Sequence, residues 1–167
     1  MRCEDTKHLT IDVLQVVANA KTVAAGLMSL GYTIITGGTD CHIIHLDLKK
    51  SPGGLSGGKG EFILEQVGIS CNKNTVPGDK SALNPSGVRF GTPALTTRGM
   101  KTQDMETVVR FLHQAFQLGV EVQASSGVKL VDFKKCCLEQ FSGKINKLKE
   151  EVEKFATQFM LPGQPIL

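Results

Sequence analysis

Between Cys71 and Gly99 the chain reads CNKNTVPGDKSALNPSGVRFGTPALTTRG, and this stretch gathers the side chains with most to offer chemically. Arg89 falls in a β-prone run between Val88 and Phe90. A guanidinium set among apolar neighbours is expected to be buried and to need an anionic partner, since arginine is almost never left unpaired in an interior. Two partners would serve: an internal carboxylate, forming a structural ion pair, or the acid group of a ligand. Gly87 and Gly91 keep the backbone around it uncluttered. Asn72, Lys73 and Asn74 add three polar heads beside a turn that carries Pro77, Gly78 and Asp79.

Other candidate motifs lack a part that their chemistry requires. Gly53, Gly58 and Lys59 have the spacing of a phosphate-binding loop. That loop needs Ser or Thr after the lysine to reach magnesium, and here Gly60 follows. Pro52 also interrupts the passage from the preceding strand, so Ser51 to Gly60 is expected to be a solvent loop. Cys41, His42 and His45 are close in sequence, but strand alternation puts Cys41 and His45 on one face and His42 on the other. Without a fourth ligand no metal site is expected, and His42 is read as holding the turn by a hydrogen bond. His113 sits between apolar neighbours on a helical pattern and is read as packed rather than basic. No Ser/His/Asp or Cys/His nucleophile signature is present.

The elements that must position these residues follow from periodicity. Val13, Val16, Val17, Ala20, Val23, Ala24, Leu27 and Leu30 recur at helical steps, with Thr10 as the expected cap and Gly31 as the stop. Tyr32 to Thr36 and His42 to Leu48 read as strands around the Gly37-Gly38 turn. A short helix is expected around Phe62 to Val67, then strands at Ser70 to Asn74 and Gly87 to Thr92. Helices follow from a cap at Thr102, then at Val131 to Gln140 and Lys144 to Gln158. This order predicts an α/β or α+β domain with a small sheet covered by helices.

Bulk properties exclude several classes. The chain has 167 residues, 41% hydrophobic and 21% charged, which suits one domain with a real core. A net charge of +3 from 19 basic and 16 acidic residues, interspersed as in Lys144 to Lys154, argues against a nucleic-acid partner. No apolar run is long enough to span a bilayer, so no membrane partner is expected. Met1 to Lys7 resembles neither a signal core nor a transit peptide, and cytoplasmic residence is expected. Five irregularly spaced cysteines read as reduced thiols.

Taken together, several of these segments resemble the serine hydroxymethyltransferase family. SGVRFGTPALTTRG, Ser86 to Gly99, is similar to its substrate-arginine segment, and NKNTVPGD, Asn72 to Asp79, to the segment beside the folate. GYTIITGGTDCHIIHLDL, Gly31 to Leu48, resembles its hairpin, and QVVANAKTVAAGL, Gln15 to Leu27, its preceding helix. LPG at Leu161 to Gly163 matches its usual ending. The similarity runs in order over residues 14–163, leaving 1–13 as a divergent leader and 164–167 as a tail. Cys41 and His45 depart from the pattern, standing where Asn and an apolar residue are usual.

The resemblance implies the C-terminal small domain of a fold-type I enzyme dependent on pyridoxal phosphate, a small antiparallel sheet covered by helices. It implies transfer of a hydroxymethyl carbon between serine and tetrahydrofolate, giving glycine and methylenetetrahydrofolate. Arg89 would bind the amino acid carboxylate through a bidentate fork, and Asn74 the folate ring through its amide donor and acceptor. The family's cofactor lysine lies in a Thr-rich segment ending in His-Lys, which this sequence does not contain. No catalytic, cofactor-binding or metal-binding residue is therefore expected in this chain, and alone it is expected to be inactive. Its partners would be the small-molecule ligands of the complete enzyme, and either further copies of itself or full-length subunits. The parent enzyme could be cytosolic or mitochondrial.

Overall fold

The computed structural model describes residues 3–161, with side chains from Val13 onward. A long helix, α1 (Cys3–Ser29), opens the chain, so Thr10 lies inside the helix rather than capping it. It ends as expected at Gly31, whose φ of 84° is open to a residue without a Cβ. There Gly31 N donates to Met28 O at 2.9 Å and Tyr32 N to Leu27 O at 3.0 Å, satisfying the last carbonyls. Ala20, Val23, Ala24 and Leu27 are buried, whereas Val13 and Leu14 near its start are 55% and 66% exposed.

Four strands form one antiparallel sheet in the order β1-β2-β4-β3: β1 (Thr33–Ile34), β2 (Ile43–Asp47), β3 (Asn72–Asn74) and β4 (Gly87–Gly91). β2 and β3 are joined through the helix α2 (Gly57–Gln66), and β4 returns between them. Strand alternation sends Ile44, Leu46 and Val88 to the core face. There they join Ile63 and Leu64 of α2 and Met105, Leu112 and Phe116 of α4 (Thr102–Ser126). Each large apolar side chain buried this way contributes about 1.5–3 kcal/mol. α5 (Leu130–Gln140) and α6 (Ser142–Ala156) add Phe133, Cys137, Ile145 and Leu148 to the same core.

Three local features differ from the sequence reading. The glycine loop is not a solvent loop over its whole length: α2 begins at Gly57, capped by Ser56, and Gly57, Gly58, Lys59 and Gly60 are all buried. A Cβ at Gly57 would strike the carbonyl of Gly87, and one at Gly60 would strike Leu48, so these glycines let α2 lie against the sheet. α4 is capped by Asp104, whose carboxylate accepts the Lys101 N–H at 2.7 Å, rather than by Thr102. A one-turn helix, α3 (Pro93–Thr97), follows β4 where no helix was expected; Pro93 presets its first turn.

α3 is tied on two sides. Buried Asn19 of α1 donates through Nδ2 to Thr96 Oγ1 at 2.9 Å and to Met100 O at 3.0 Å, and Gln15 Nε2 donates to Asn19 Oδ1 at 2.9 Å. Just beyond α3, the Arg98 guanidinium donates to the carbonyls of Ala156 at 2.5 Å, Phe159 at 3.0 Å and Met160 at 3.4 Å.

Candidate functional site

The sheet face opposite the core carries the candidate residues. Register places His45 of β2 and Asn72 of β3 directly across from Arg89 of β4, in one row. The next row holds Asp47, Gly87 and Asn74. On this face the neighbours of Arg89 along its own strand are Gly87 and Gly91, so no side chain flanks the guanidinium there. Both glycines are also required by the strands beside them. A Cβ at Gly87 would lie 2.6 Å from Leu46 O and 3.0 Å from Asn74 O; one at Gly91 would lie 2.7 Å from His42 O.

Arg89 is exposed, which corrects the expectation of a buried guanidinium. The apolar residues beside it in sequence, Val88 and Phe90, point through the sheet to the other face. Adjacent residues on a strand report the opposite side; the residues two away, both glycine here, report its own. Among the described residues no carboxylate pairs with Arg89 and no hydrogen bond engages it. The internal ion pair, one of the two partners considered for it, is therefore not formed. Asn74 is half-buried, and its side-chain amide is likewise without a partner among the described residues.

The loop between β3 and β4 is held by a residue the sequence reading passed over as a turn former. Asp79 Oδ2 accepts the N–H of Val76 and of Ser86, each at 2.9 Å, and Oδ1 accepts the Ser86 hydroxyl at 2.5 Å. Its hydrogen bonds from Ser86 and Val76, reinforced by the charge of Lys49, hold the Asp79 carboxyl below its usual range. The signal for this was in the sequence, as an acid one residue past a Pro-Gly pair, the side chain placed to close its own turn.

His45 is half-buried beside Arg89, and its Nε2 is buried with no hydrogen-bond partner among the described residues. Burial first, and then the neighbouring guanidinium, push its pKa down; Asp47 opposes them. His45 also lines a cleft of about 760 Å³ between α1 and the Thr36–Cys41 loop, together with Lys21, Met28 and Cys41. Cys41 lies in that loop, its sulfur against Thr39 and Ile43, and His42 reaches β4 through its carbonyl, which accepts the Thr92 N–H at 3.2 Å, rather than through its ring. Among the described residues no three His, Cys, Asp or Glu side chains converge as metal ligands would.

Lys59 and His113 have structural partners. The Lys59 ammonium donates to Gln123 Oε1 at 2.9 Å and Gly127 O at 3.0 Å and sits 5.3 Å over the Phe133 ring. It thereby caps the C-terminal end of α4 from inside the core. His113 Nδ1 is 3.0 Å from the Tyr32 hydroxyl.

A four-stranded antiparallel sheet backed by helices, with an unpaired arginine and asparagine on its other face, defines a small α/β domain built to present polar groups from one side of a sheet. The serine hydroxymethyltransferase family model matches residues 5–112, more than half of the chain. The chain is 53% identical over 151 residues to a serine hydroxymethyltransferase of Bombyx mori, 89% of this chain and 32% of that protein. It is 47% identical over 155 residues to a cytosolic serine hydroxymethyltransferase of Oryctolagus cuniculus, 90% of this chain and 32% of the relative. It is 41% identical over 157 residues to a mitochondrial one of Candida glabrata, 90% and 32%. The chain belongs to the serine hydroxymethyltransferase family, and it spans about a third of the length of the curated relatives it matches.

Proposed function

We propose that this chain is the C-terminal part of a pyridoxal-phosphate-dependent serine hydroxymethyltransferase. The complete enzyme would interconvert serine and tetrahydrofolate with glycine and 5,10-methylenetetrahydrofolate. In it Arg89 grips the amino acid carboxylate and Asn74 meets the folate ring. The observation that carries this reading is Arg89 itself: a guanidinium with no carboxylate partner among the described residues, flanked on its own face by two glycines. A planar fork can take a carboxylate through two parallel hydrogen bonds and so orient the bonds at the amino acid Cα. An amide in the adjoining row can both donate to and accept from a pterin edge.

Lys59 of α2 and Lys73 of β3 do not fit the cofactor. Buried Lys59 is committed to Gln123 and Gly127 on the core side, and Lys73 sits 3.7 Å from Glu61 of α2. Neither stands on the face that carries Arg89. We therefore assign the cofactor lysine to a part of the enzyme outside this sequence and route no step through these residues. Alone, the chain neither retains pyridoxal phosphate after borohydride reduction nor turns over serine with tetrahydrofolate. Detecting both would overturn the assignment. Binding of glycine that perturbs Arg89 in wild type and is lost in Arg89→Ala would support the carboxylate grip; binding that survives the substitution would defeat it.

A second reading rests on α1. Val13 and Leu14, adjacent on that helix, are exposed, as apolar residues are when a partner normally covers them. In that reading the chain is a non-catalytic interaction module for full-length subunits. Its test is co-purification with the complete enzyme, and failure to associate counts against it.

A further inference from the structure

The two proposed ligand groups sit on different strands, and something must fix the distance between them. Asn74 ends β3 two residues before Val76; Arg89 lies in β4 three residues after Ser86. The twelve-residue connection between those strands is polar and turn-rich, and most of its side chains from Lys80 to Asn84 are exposed. β3 pairs with β4 over three residues only, with Asn74 opposite Gly87, so the ladder between them is short and depends on how firmly its connecting loop is closed.

One carboxylate closes that loop. Asp79 takes the Val76 N–H with one oxygen, and the same oxygen takes the Ser86 N–H; the second oxygen takes the Ser86 hydroxyl. Asp79 N in turn donates to Val76 O at 3.0 Å, and Gly78 with φ 97° supplies the left-handed residue that this tight return needs. Ser86 is itself fixed from the other side, its carbonyl accepting Leu48 N at 3.1 Å beyond β2. Pro85 O accepts Gly57 N at 2.8 Å, tying the same point to α2. The far end of the loop is therefore rigid, and Asp79 brings the near end to it.

We propose that Asp79 is a positioning residue, which sets Asn74 and Arg89 at a fixed separation by clipping the end of β3 to the start of β4. This rests on the reading of Arg89 and Asn74 as ligand groups, and it extends that reading to a residue that touches neither ligand. Charge-assisted hydrogen bonds from backbone donors suit the task, being shorter and more directional than neutral ones.

The test is an NMR comparison of the chain with its Asp79→Asn and Ser86→Ala variants. Asp79→Asn is expected to keep a cooperative melt and unchanged exchange in α1 and α4. The amides of Val76 and Ser86 should exchange about tenfold faster or more, as expected when charge-assisted bonds are lost. The Asn74 side-chain amide and the Arg89 Nε–H signals should shift or broaden together. Faster exchange at Val76 and Ser86 with both of those signals unmoved would overturn the proposal, since the clip would then be purely local. Should Asp79→Asn fail to fold, Ser86→Ala, which removes only the hydroxyl donor, decides on the same signals. Titrating wild type with glycine and tetrahydrofolate separates the two ideas. Coupled signals without any ligand response defeat the site reading and leave the clip standing; a ligand response equal in wild type and Asp79→Asn defeats the clip.

Discussion

Arg89 is the residue on which sequence and structure differ most usefully. Its exposure means that Arg89→Ala should change stability by no more than about 0.5 kcal/mol, the range for surface positions without special partners. A loss of unfolding free energy in urea several times that amount would mean that the side chain has an internal partner after all. Tyr32 offers a second residue-scale prediction. It is the single tyrosine in a chain without tryptophan, so its phenolate absorbance can be followed cleanly. Burial, only partly opposed by Gln117, raises its pKa from 10.0 to about 12. The fold holds the protonated phenol, so this contribution to stability is complete below pH 10 and is lost as pH rises from 10 to about 12. Phenolate absorbance from the folded chain at pH 10 would contradict it.

Among the elements, the helices and the two long strands were legible because their apolar residues repeat at periods that only one structure satisfies. Ala20, Val23, Ala24 and Leu27 read as a helix face and are buried as one. His42 to Leu48 and Gly87 to Thr92 were likewise legible as strands, and the structure pairs their core residues Ile44, Leu46 and Val88 on one face. What could not be read was contact across sequence distance. Gly57 looks like loop composition until its neighbour is known to be the Gly87 carbonyl. α3 is too short to carry a period, and the bonds from Asn19 that hold it join residues 77 and 81 positions apart. Arg89 stood out from its strand, while its role and that of Asn74 came from resemblance to a family; Asp79 was read only as part of a turn, because its place after Pro77-Gly78 marks the near bond to Val76 but not the return to Ser86 seven residues on. The glycine reading can be tested directly. Gly57→Ala should cost about 1–3 kcal/mol, the usual penalty for forcing a methyl into a packed contact. Denaturant midpoints that match wild type would show that α2 can slide away from β4 at little cost.

At the scale of the whole molecule, the chain has a continuous core of its own and two adjacent exposed apolar residues, Val13 and Leu14, on its first helix. The core joins every helix to the sheet, so the domain should melt as one unit. The exposed Val13 and Leu14 should make it self-associate at high concentration, and light scattering should show mass rising with concentration. Replacing both with Glu should return it to a monomer. A wild-type mass that stays monomeric at every concentration would show that these two residues are too few to drive association.

Arg98 links the last helix back to the segment just past β4 through three main-chain oxygens, those of Ala156, Phe159 and Met160. Because the acceptors are backbone carbonyls, which every residue including proline carries, no point substitution there removes them, but shortening the chain would. Clipping it after Ala156 would leave one of the three oxygens and set a cation loose a few residues from β4. The stretch from Ala156 to Met160 is thus a keeper for the segment just past the strand that bears Arg89, and it holds through atoms that every residue type carries.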